Sequence, residues 1–379
     1  MTLRIALLGA VNSIHLRRWA LALVERGHTV CVLTQHCMVD YERLPSSVET
    51  VVLPYRGQAG YFMNARFVRD VLARWRPDVL NAHYASGYGT TARLVGFRPW
   101  LLSVWGSDVY DFPTKSPLHR ALVRGNLRAA DAVASTSHCM AKVTHALAPT
   151  LGQIAITPFG VDMEAYADAV PMPRAQPGRW VVGTVKTMAD KYGIDTLIQA
   201  FALLLASLQA SDPDMARQLH LRLVGDGPQM SALKQLAAHL GVAERVQFVG
   251  HVDHAQVPHE LAQLDVYVAL SRLDSESFGV AIIEAGAAAR PVVVSDAGGL
   301  PEVVLDGVTG LVVPRENPQA AADAIECLLC DADLRQRMGA AARRHVAQHY
   351  SGDACIETML KVYERLVARQ PVIAVKPSK

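Results

Sequence analysis

The sequence predicts an α/β protein made of two doubly wound, parallel-sheet domains, each Rossmann-like in rhythm. Three observations predict it. The chain has 379 residues, which suits two domains of roughly 150–200 residues each. Its strand candidates, such as LRIALLGA and HTVCVLTQ, are unbroken apolar runs rather than alternating ones, as expected of strands buried on both faces. Helical stripes fall between those runs, and a Pro-rich stretch, ADAVPMPRAQPGR, divides the series in two.

LRIALLGA opens as a strand. SIHLRRWALALVERG follows as a helix with Ile14, Leu16, Trp19, Ala20 and Leu23 on one stripe and Gly27 as its stop. Next come the strands HTVCVLTQ and VETVVLP, the helix FMNARFVRDVLARWRP, and the strands DVLNAHY and PWLLSVWG. A helix over 116–130, the strand DAVAST, a helix near 137–147 and the strand QIAITPFG end the first half. Beyond the linker the order is strand WVVGTV, helix GIDTLIQAFALLLASL, strand LHLRLVGDG, helix PQMSALKQLAAHLG, strand RVQFVGH and a short helix near 255–263. Strand DVYVAL, helix FGVAIIEAGAAA, strand PVVVSD, helix 301–305 and strand TGLVVP complete the second sheet, followed by helices over 317–330 and 332–348 and an amphipathic segment over 351–368. The expected domains are 1–168 and 169–350, with 351–379 as a C-terminal helical segment. Two such halves imply a cleft between them, because ligands of open parallel sheets sit at the carboxyl ends of strands.

Composition excludes several classes. Hydrophobic residues make up 51%, charged residues 19%, and mean hydropathy is +0.16, enough for two cores and wrong for a disordered chain or a coiled coil. No uncharged apolar run of about 18 residues appears, so no spanning helix is expected. The first strand starts almost at Met1 with no basic segment ahead of it, which argues against a secretory signal. The six cysteines, Cys31, Cys37, Cys139, Cys327, Cys330 and Cys355, are thinly scattered, as in a reduced, cytoplasmic chain. Residues 1–170 hold 17 basic and 12 acidic side chains, net +5, and the remainder holds 20 and 23, net −3. That excess is too weak for nucleic acid. It suits either ordinary surface charge or a domain that approaches anionic lipid head groups or a phosphorylated acceptor.

The richest stretch runs from Ser271 to Val304, SRLDSESFGVAIIEAGAAARPVVVSDAGGLPEVV. Glu276 and Glu284 flank the point, Phe278–Gly279, where a loop turns into a helix. A helix N-terminus offers unpaired N–H groups and the positive end of a dipole to phosphate oxygens. Carboxylates on either side accept pairs of sugar hydroxyls. A hexose, a diphosphate and a ribose in a row match that layout. The bare spacing alone is equally that of an amphipathic helix with two surface acids.

The wider string decides between the two. Glu276-Ser277-Phe278-Gly279, Glu284, Arg290-Pro291-Val292-Val293, Gly298-Gly299-Leu300-Pro301-Glu302 and Asp306-Gly307-Val308-Thr309-Gly310 resemble the retaining glycosyltransferases of family 4, which have the two-domain GT-B fold. The likeness covers the second half, including GDGP at 225–228 and FVGHV at 248–252. It implies that Glu276 contacts the transferred hexose, that Phe278, Gly279 and Val280 hold the diphosphate and sugar through their amides, and that Glu284 binds the ribose hydroxyls. It also implies donor contacts at Gly225 and Val249, and a C-terminal segment that returns to the first domain.

The sequence departs from the family pattern at three places. Thr184 stands where an Arg is usual, and Tyr192 precedes Gly193 where a Lys is usual. Lys186 and Lys191 are the available cations, expected as catalytic groups together with Glu276. Trp105 replaces a His in VWGSDV; it can wall a pocket or stack on a sugar but cannot exchange a proton. Trp105, His83, Asp108 and His15 are expected on the acceptor side, although Asp108 equally suits a helix cap and a lone strand-end His is often structural. The loop Gly9–His15 is no G-x-G-x-x-G fingerprint; Asn12 and Ser13 are its expected donor contacts, with capping as the other role for Ser13. No metal is expected. The D-x-D strings Asp212-Pro213-Asp214 and Asp331-Ala332-Asp333 read as caps or turns, and Cys327 with Cys330 reads as a helix core face rather than half a zinc site.

The resemblance therefore implies a metal-independent, retaining transferase. It would move a hexose from a nucleoside-diphosphate sugar, UDP favoured, to a glycan or lipid-linked acceptor by front-face attack, in envelope or lipopolysaccharide-type polysaccharide synthesis. The nucleotide sugar is a co-substrate, with no separate cofactor. A cytoplasmic enzyme in peripheral contact with an anionic membrane, at the inner face of the plasma membrane, is the expected setting. A non-catalytic nucleotide-sugar-binding subunit is the alternative, and a nucleotide-sugar epimerase ranks below it.

Overall fold

The computed structural model describes residues 1–36, 44–169 and 178–368. Most of the Pro-rich linker, Cys37 and residues 369–379 lie outside the described residues. Contacts divide the chain into two compact units, one formed by Met1–Phe159 with Cys355 onward, the other by Gly160–Ala354.

The first unit holds seven parallel strands: β1 (Arg4–Leu8), β2 (Thr29–Thr34), β3 (Val48–Val52), β4 (Val79–His83), β5 (Trp100–Val104), β6 (Ala132–Ser135) and β7 (Ala155–Ile156), in the order β3-β2-β1-β4-β5-β6-β7. The second holds six: β8 (Trp180–Val185), β9 (Leu219–Val224), β10 (Val246–Gly250), β11 (Val266–Ala269), β12 (Val292–Ser295) and β13 (Gly310–Val313), in the order β10-β9-β8-β11-β12-β13. Both are doubly wound α/β units, as the apolar runs predict. The central strands β4, β5, β11 and β12 are buried at every position, which is why they read as continuous rather than alternating. The order reverses between β1 and β4 and again between β8 and β11. Loops leaving the carboxyl ends of such strands diverge and leave room for a ligand.

Several details differ from the sequence reading. β7 is two residues long, not the eight of QIAITPFG. The expected helix over 62–77 is two helices, Gly57–Met63 and Ala65–Trp75, because buried Asn64 turns its amide away to tie the preceding loop: Nδ2 donates to the Tyr55 carbonyl at 2.8 Å and Oδ1 accepts from the Tyr55 N–H at 3.1 Å. The helix Gly87–Val95 had no signal, since GYGTTARLV is rich in glycine and β-branched residues. Tertiary bonds hold it: Thr91 donates to the Tyr61 carbonyl at 2.7 Å, and Asn126 Nδ2 donates to the Ala85 carbonyl at 2.9 Å. Asp212 and Asp331 each cap a helix, accepting from Met215 N–H and Leu334 N–H. Cys327 and Cys330 are exposed, contrary to the core-face reading; Ile325, Leu328 and Leu329 form that face instead.

The helix Ile194–Ser211 is long and apolar enough, by length and composition, to cross a membrane, which the absence of an uncharged run did not foresee. It is a core element: Leu197, Ile198, Phe201, Leu204 and Leu208 are buried against β8, β9 and β11. The C-terminal helix Gly352–Ala368 buries Cys355, Ile356, Met359, Leu360, Tyr363 and Leu366 with the helix Ile14–Glu25, with Leu3, and with the β1 residues Ile5 and Leu7 of the first unit.

Candidate functional site

In the second unit the charged groups gather on the loops that leave β8 and β11. Thr184 is inside β8, fully buried, its hydroxyl 3.5 Å from Tyr267 Oη, so the first cation past the strand is Lys186. Lys186 Nζ donates to Glu276 Oε1 at 3.0 Å, with the two side chains only 14% and 9% exposed. Burial alone would lower the Lys186 ammonium. The Glu276 carboxylate, backed by Tyr267 and Tyr192, outweighs burial and holds it above its ordinary value. The Tyr192 ring lies 4.5 Å from Lys186 Nζ and 4.7 Å from Lys191 Nζ, so the residue that breaks the family pattern is the π face shared by both cations. Tyr267, buried in β11, is within electrostatic reach of Lys186, Glu276 and Glu284, and burial raises its phenol.

The glycines of this region are spacing devices. A Cβ on Gly225, at φ +129°, would lie 2.0 Å from the Lys186 carbonyl, so the GDGP loop can rest on the Lys186 loop only with glycine there. Gly298 and Gly299 lie against the Glu276 segment in the same way. A Cβ on either would come within 2.3 Å of a carbonyl, Glu276 for the first and Ser277 for the second, and the Gly299 N–H donates to the Glu276 carbonyl at 2.8 Å. The G-G-L-P-E string is therefore a backbone brace for Glu276. Two arginines add side-chain braces. Arg272 bonds Asp190 at 2.7 Å and Asp195 at 2.6 Å, and its N–H donates to the Lys191 carbonyl at 2.9 Å. Arg315 bonds Asp274 at 2.8 Å and Asp296 at 3.0 Å.

Phe278 is buried, its ring 5.8 Å from that of Tyr350, and Gly279 at φ +95° starts the helix Val280–Ala287 with no side-chain cap. The first N–H groups of a helix have no intrahelical acceptor, and here no cap side chain takes them. Glu284, buried on that helix, shares a 2.9 Å hydrogen bond with His254 Nε2. Val249 is half-buried near the end of β10, and the following Gly250 accepts from the Gly225 N–H at 2.8 Å. Along one edge the unit thus presents cations, helix amides and two buried carboxylates. Among the described residues no three His, Cys, Asp or Glu side chains cluster as a metal would require.

The first unit has its own cavity of about 430 Å³ at the carboxyl ends of β1, β4 and β5, lined by Ser13, His15, His83, Tyr84, Trp105 and Phe159 among others. His15 stacks on Phe159 with ring centroids 3.9 Å apart, and His83 lies 4.9 Å from Trp105. Ser13 sits at the N-cap of Ile14–Glu25 without a capping bond, and Asn12 is exposed beside it. Asp108 does not face the cavity. It is fully buried, accepting from Ala85 N–H at 2.6 Å, Trp105 N–H at 3.1 Å and Gly106 N–H at 2.8 Å, and so staples two cavity loops together; burial raises its carboxyl. It is a positioning residue.

Sequence reasoning missed His254, Arg272, Arg315, Tyr192 as a platform and Tyr267. Arg272 had a signal, a charge just past a buried strand. Tyr192 meets the two lysines of its own loop, whereas His254, Arg315 and Tyr267 act through contacts that join segments far apart in the chain.

Two open parallel sheets, one with a cation–carboxylate–helix-terminus cluster at its switch point, define the class: an α/β glycosyltransferase fold of the GT-B kind. The chain belongs to the glycosyl transferases group 1 family. That family's model matches residues 171–345, and the glycosyl transferase 4-like model matches 4–137. A D-inositol 3-phosphate glycosyltransferase of Jonesia denitrificans is 34% identical over 58% of this chain and 51% of its own, so the match spans about half that relative's length. A GDP-mannose-dependent alpha-(1-6)-phosphatidylinositol monomannoside mannosyltransferase of Mycolicibacterium smegmatis is 33% identical over 67% of each chain. The solved structure of Anabaena HepE in complex with UDP superposes with a TM-score of 0.76 at 18% identity, over 96% of this chain and 100% of that one, a likeness of fold.

Proposed function

We propose that this chain transfers a hexose-type sugar from a nucleoside-diphosphate sugar to a hydroxyl of a glycan or lipid-linked acceptor, with retention at the anomeric carbon. One observation carries the reading: the 3.0 Å Lys186–Glu276 pair beside the uncapped start of Val280–Ala287. A diphosphate would take Lys186, Lys191 and the helix amides, the hexose hydroxyls would take Glu276, and the ribose hydroxyls would take Glu284 with His254. The acceptor oxygen bonds to the anomeric carbon on the face from which the diphosphate leaves. The carbon–oxygen bond to phosphate breaks with its electron pair going to the phosphate, and that oxygen receives the acceptor proton. Lys186 and Lys191 meet the developing charge, so this reading assigns no metal.

UDP, which the Anabaena neighbour holds, and GDP-mannose, which the mycobacterial relative's name carries, are the first donors to try. Envelope polysaccharide synthesis at an anionic membrane is the setting that fits the basic first half of the chain. Flotation with anionic liposomes tests that setting, and a wholly soluble protein would refute it. The site itself is tested by thermal-shift screening of UDP-, GDP- and ADP-sugars. A stabilising donor whose effect vanishes in Glu284→Ala and Lys191→Ala supports it; no shift with any donor, or one indifferent to both changes, rejects it.

A further inference from the structure

The first-unit cavity differs from the second-unit site in one respect: it is uncharged. No Asp, Glu, Lys or Arg among the described residues lines it. Its titratable groups are histidines and tyrosines. Burial pushes the His83 imidazole down to about 3, so it is neutral at pH 7; burial also lowers His36 and raises Tyr61, Tyr84 and Tyr88, in each case favouring the uncharged form. The His36 ring is engaged with Tyr88 Oη at 2.6 Å, and Tyr84 Oη with Ser107 Oγ at 2.6 Å.

His83 is different. It is 2% exposed, lines the cavity, and neither ring nitrogen has a hydrogen-bond partner among the described residues. A buried imidazole with one donor and one acceptor left unpaired is costly unless a ligand completes it. Next to it the wall is aromatic: Trp105 and Phe159 meet edge to face at 5.5 Å, and His15 stacks on Phe159. Tyr84 is held at φ +84°, a left-handed conformation that bulky residues rarely adopt, and its side chain forms another part of the wall. An apolar ring wall, an unpaired neutral donor–acceptor and no counter-charge together describe a ligand with a C–H face and hydroxyl groups at its edge, which is a sugar ring.

We propose that this cavity is the acceptor subsite and that it takes an uncharged, unphosphorylated pyranose, stacked on half-buried Trp105 with a hydroxyl bonded to His83. This rests on the transferase reading and adds the substrate class. An ionised phosphate in the cavity would be desolvated with no cation to meet it.

The test is ligand-observed saturation-transfer NMR on the full chain, with methyl glucoside, mannoside and galactoside against glucose 6-phosphate and mannose 6-phosphate. At least one neutral glycoside should bind, and its phosphorylated counterpart should bind roughly tenfold more weakly or not at all. Trp105→Ala should weaken the glycoside about tenfold and His83→Leu by a similar factor, with UDP binding unchanged in both. A preference for the phosphorylated sugars overturns the proposal. So does wild-type affinity in both variants, or no neutral glycoside bound at tens of millimolar. The first comparison uses the wild-type chain alone, so a misfolded variant does not blunt it. Glycoside binding with no response to any nucleotide sugar would keep the subsite and reject the transferase reading; nucleotide-sugar binding without glycoside binding would do the reverse.

Discussion

Lys186 and Glu276 are each tolerable where they lie because of the other. Removing one leaves a nearly buried charge, so Glu276→Ala is expected to destabilise the second unit by on the order of 3 kcal/mol, and the double change Lys186→Met with Glu276→Leu by less. Urea unfolding compares them; equal losses would mean that the pair is not coupled. His83 carries the opposite expectation. Its imidazole titrates near 3 in the fold against 6.5 in the open chain. Between those values the unfolded chain binds a proton that the fold refuses, so the fold loses up to about 1.4 kcal/mol per unit as pH falls from 6.5 toward 3. His83→Leu removes that loss together with the unpaired nitrogens. It should raise the melting temperature at pH 7, and its lead over the wild type should widen as pH falls to 5. A constant lead would contradict the burial of a neutral imidazole.

At the scale of elements, the site is shaped by loops that touch backbone to backbone. Gly298 sits at φ +52° with a virtual Cβ 2.3 Å from the Glu276 carbonyl, whereas Gly307 at φ +73° faces open space. Both pay the same left-handed strain as alanine, but only Gly298→Ala also pushes the Glu276 loop. We expect Gly298→Ala to cost about 1–3 kcal/mol more than Gly307→Ala and to weaken nucleotide-sugar binding, which Gly307→Ala should leave intact. Calorimetric titration of both variants with the donor found by the thermal-shift screen checks this.

For the whole molecule, the C-terminal helix is part of a core that begins at Leu3. Tyr363 is fully buried and its hydroxyl accepts from Asn81 Nδ2 at 2.7 Å, a bond between residues 282 positions apart. Tyr363→Phe leaves the Asn81 donor unpaired and should cost about 1–3 kcal/mol. Ending the chain after Tyr350 would uncover Ile356, Met359 and Leu360's partners in the first unit, and the product is expected to be insoluble. A soluble, cooperatively melting product on size exclusion and calorimetry would show that the first unit needs no C-terminal helix.

The doubly wound class, most strand and helix positions, and the Glu276–Glu284 string were legible in local patterns, because buried parallel strands and helix starts leave apolar runs, glycines and prolines at set places. Tertiary structure alone decided the rest. Nothing local marks the helix Gly87–Val95, whose glycines and threonines are poor helix formers held by Asn126 and Tyr61. Nor does spacing show that Lys186 meets Glu276 across 90 residues, or that His254 meets Glu284. Cys327 and Cys330 read as core and lie outside it, since a three-residue spacing does not say which side of a helix the sheet covers. Asp108 read equally as an acceptor-side residue or a helix cap and is a buried staple, because the amides it binds belong to loops that meet only when β4 and β5 pair. Pattern records which residues leave water; which of them meet is set by the packing of strands and loops distant in sequence.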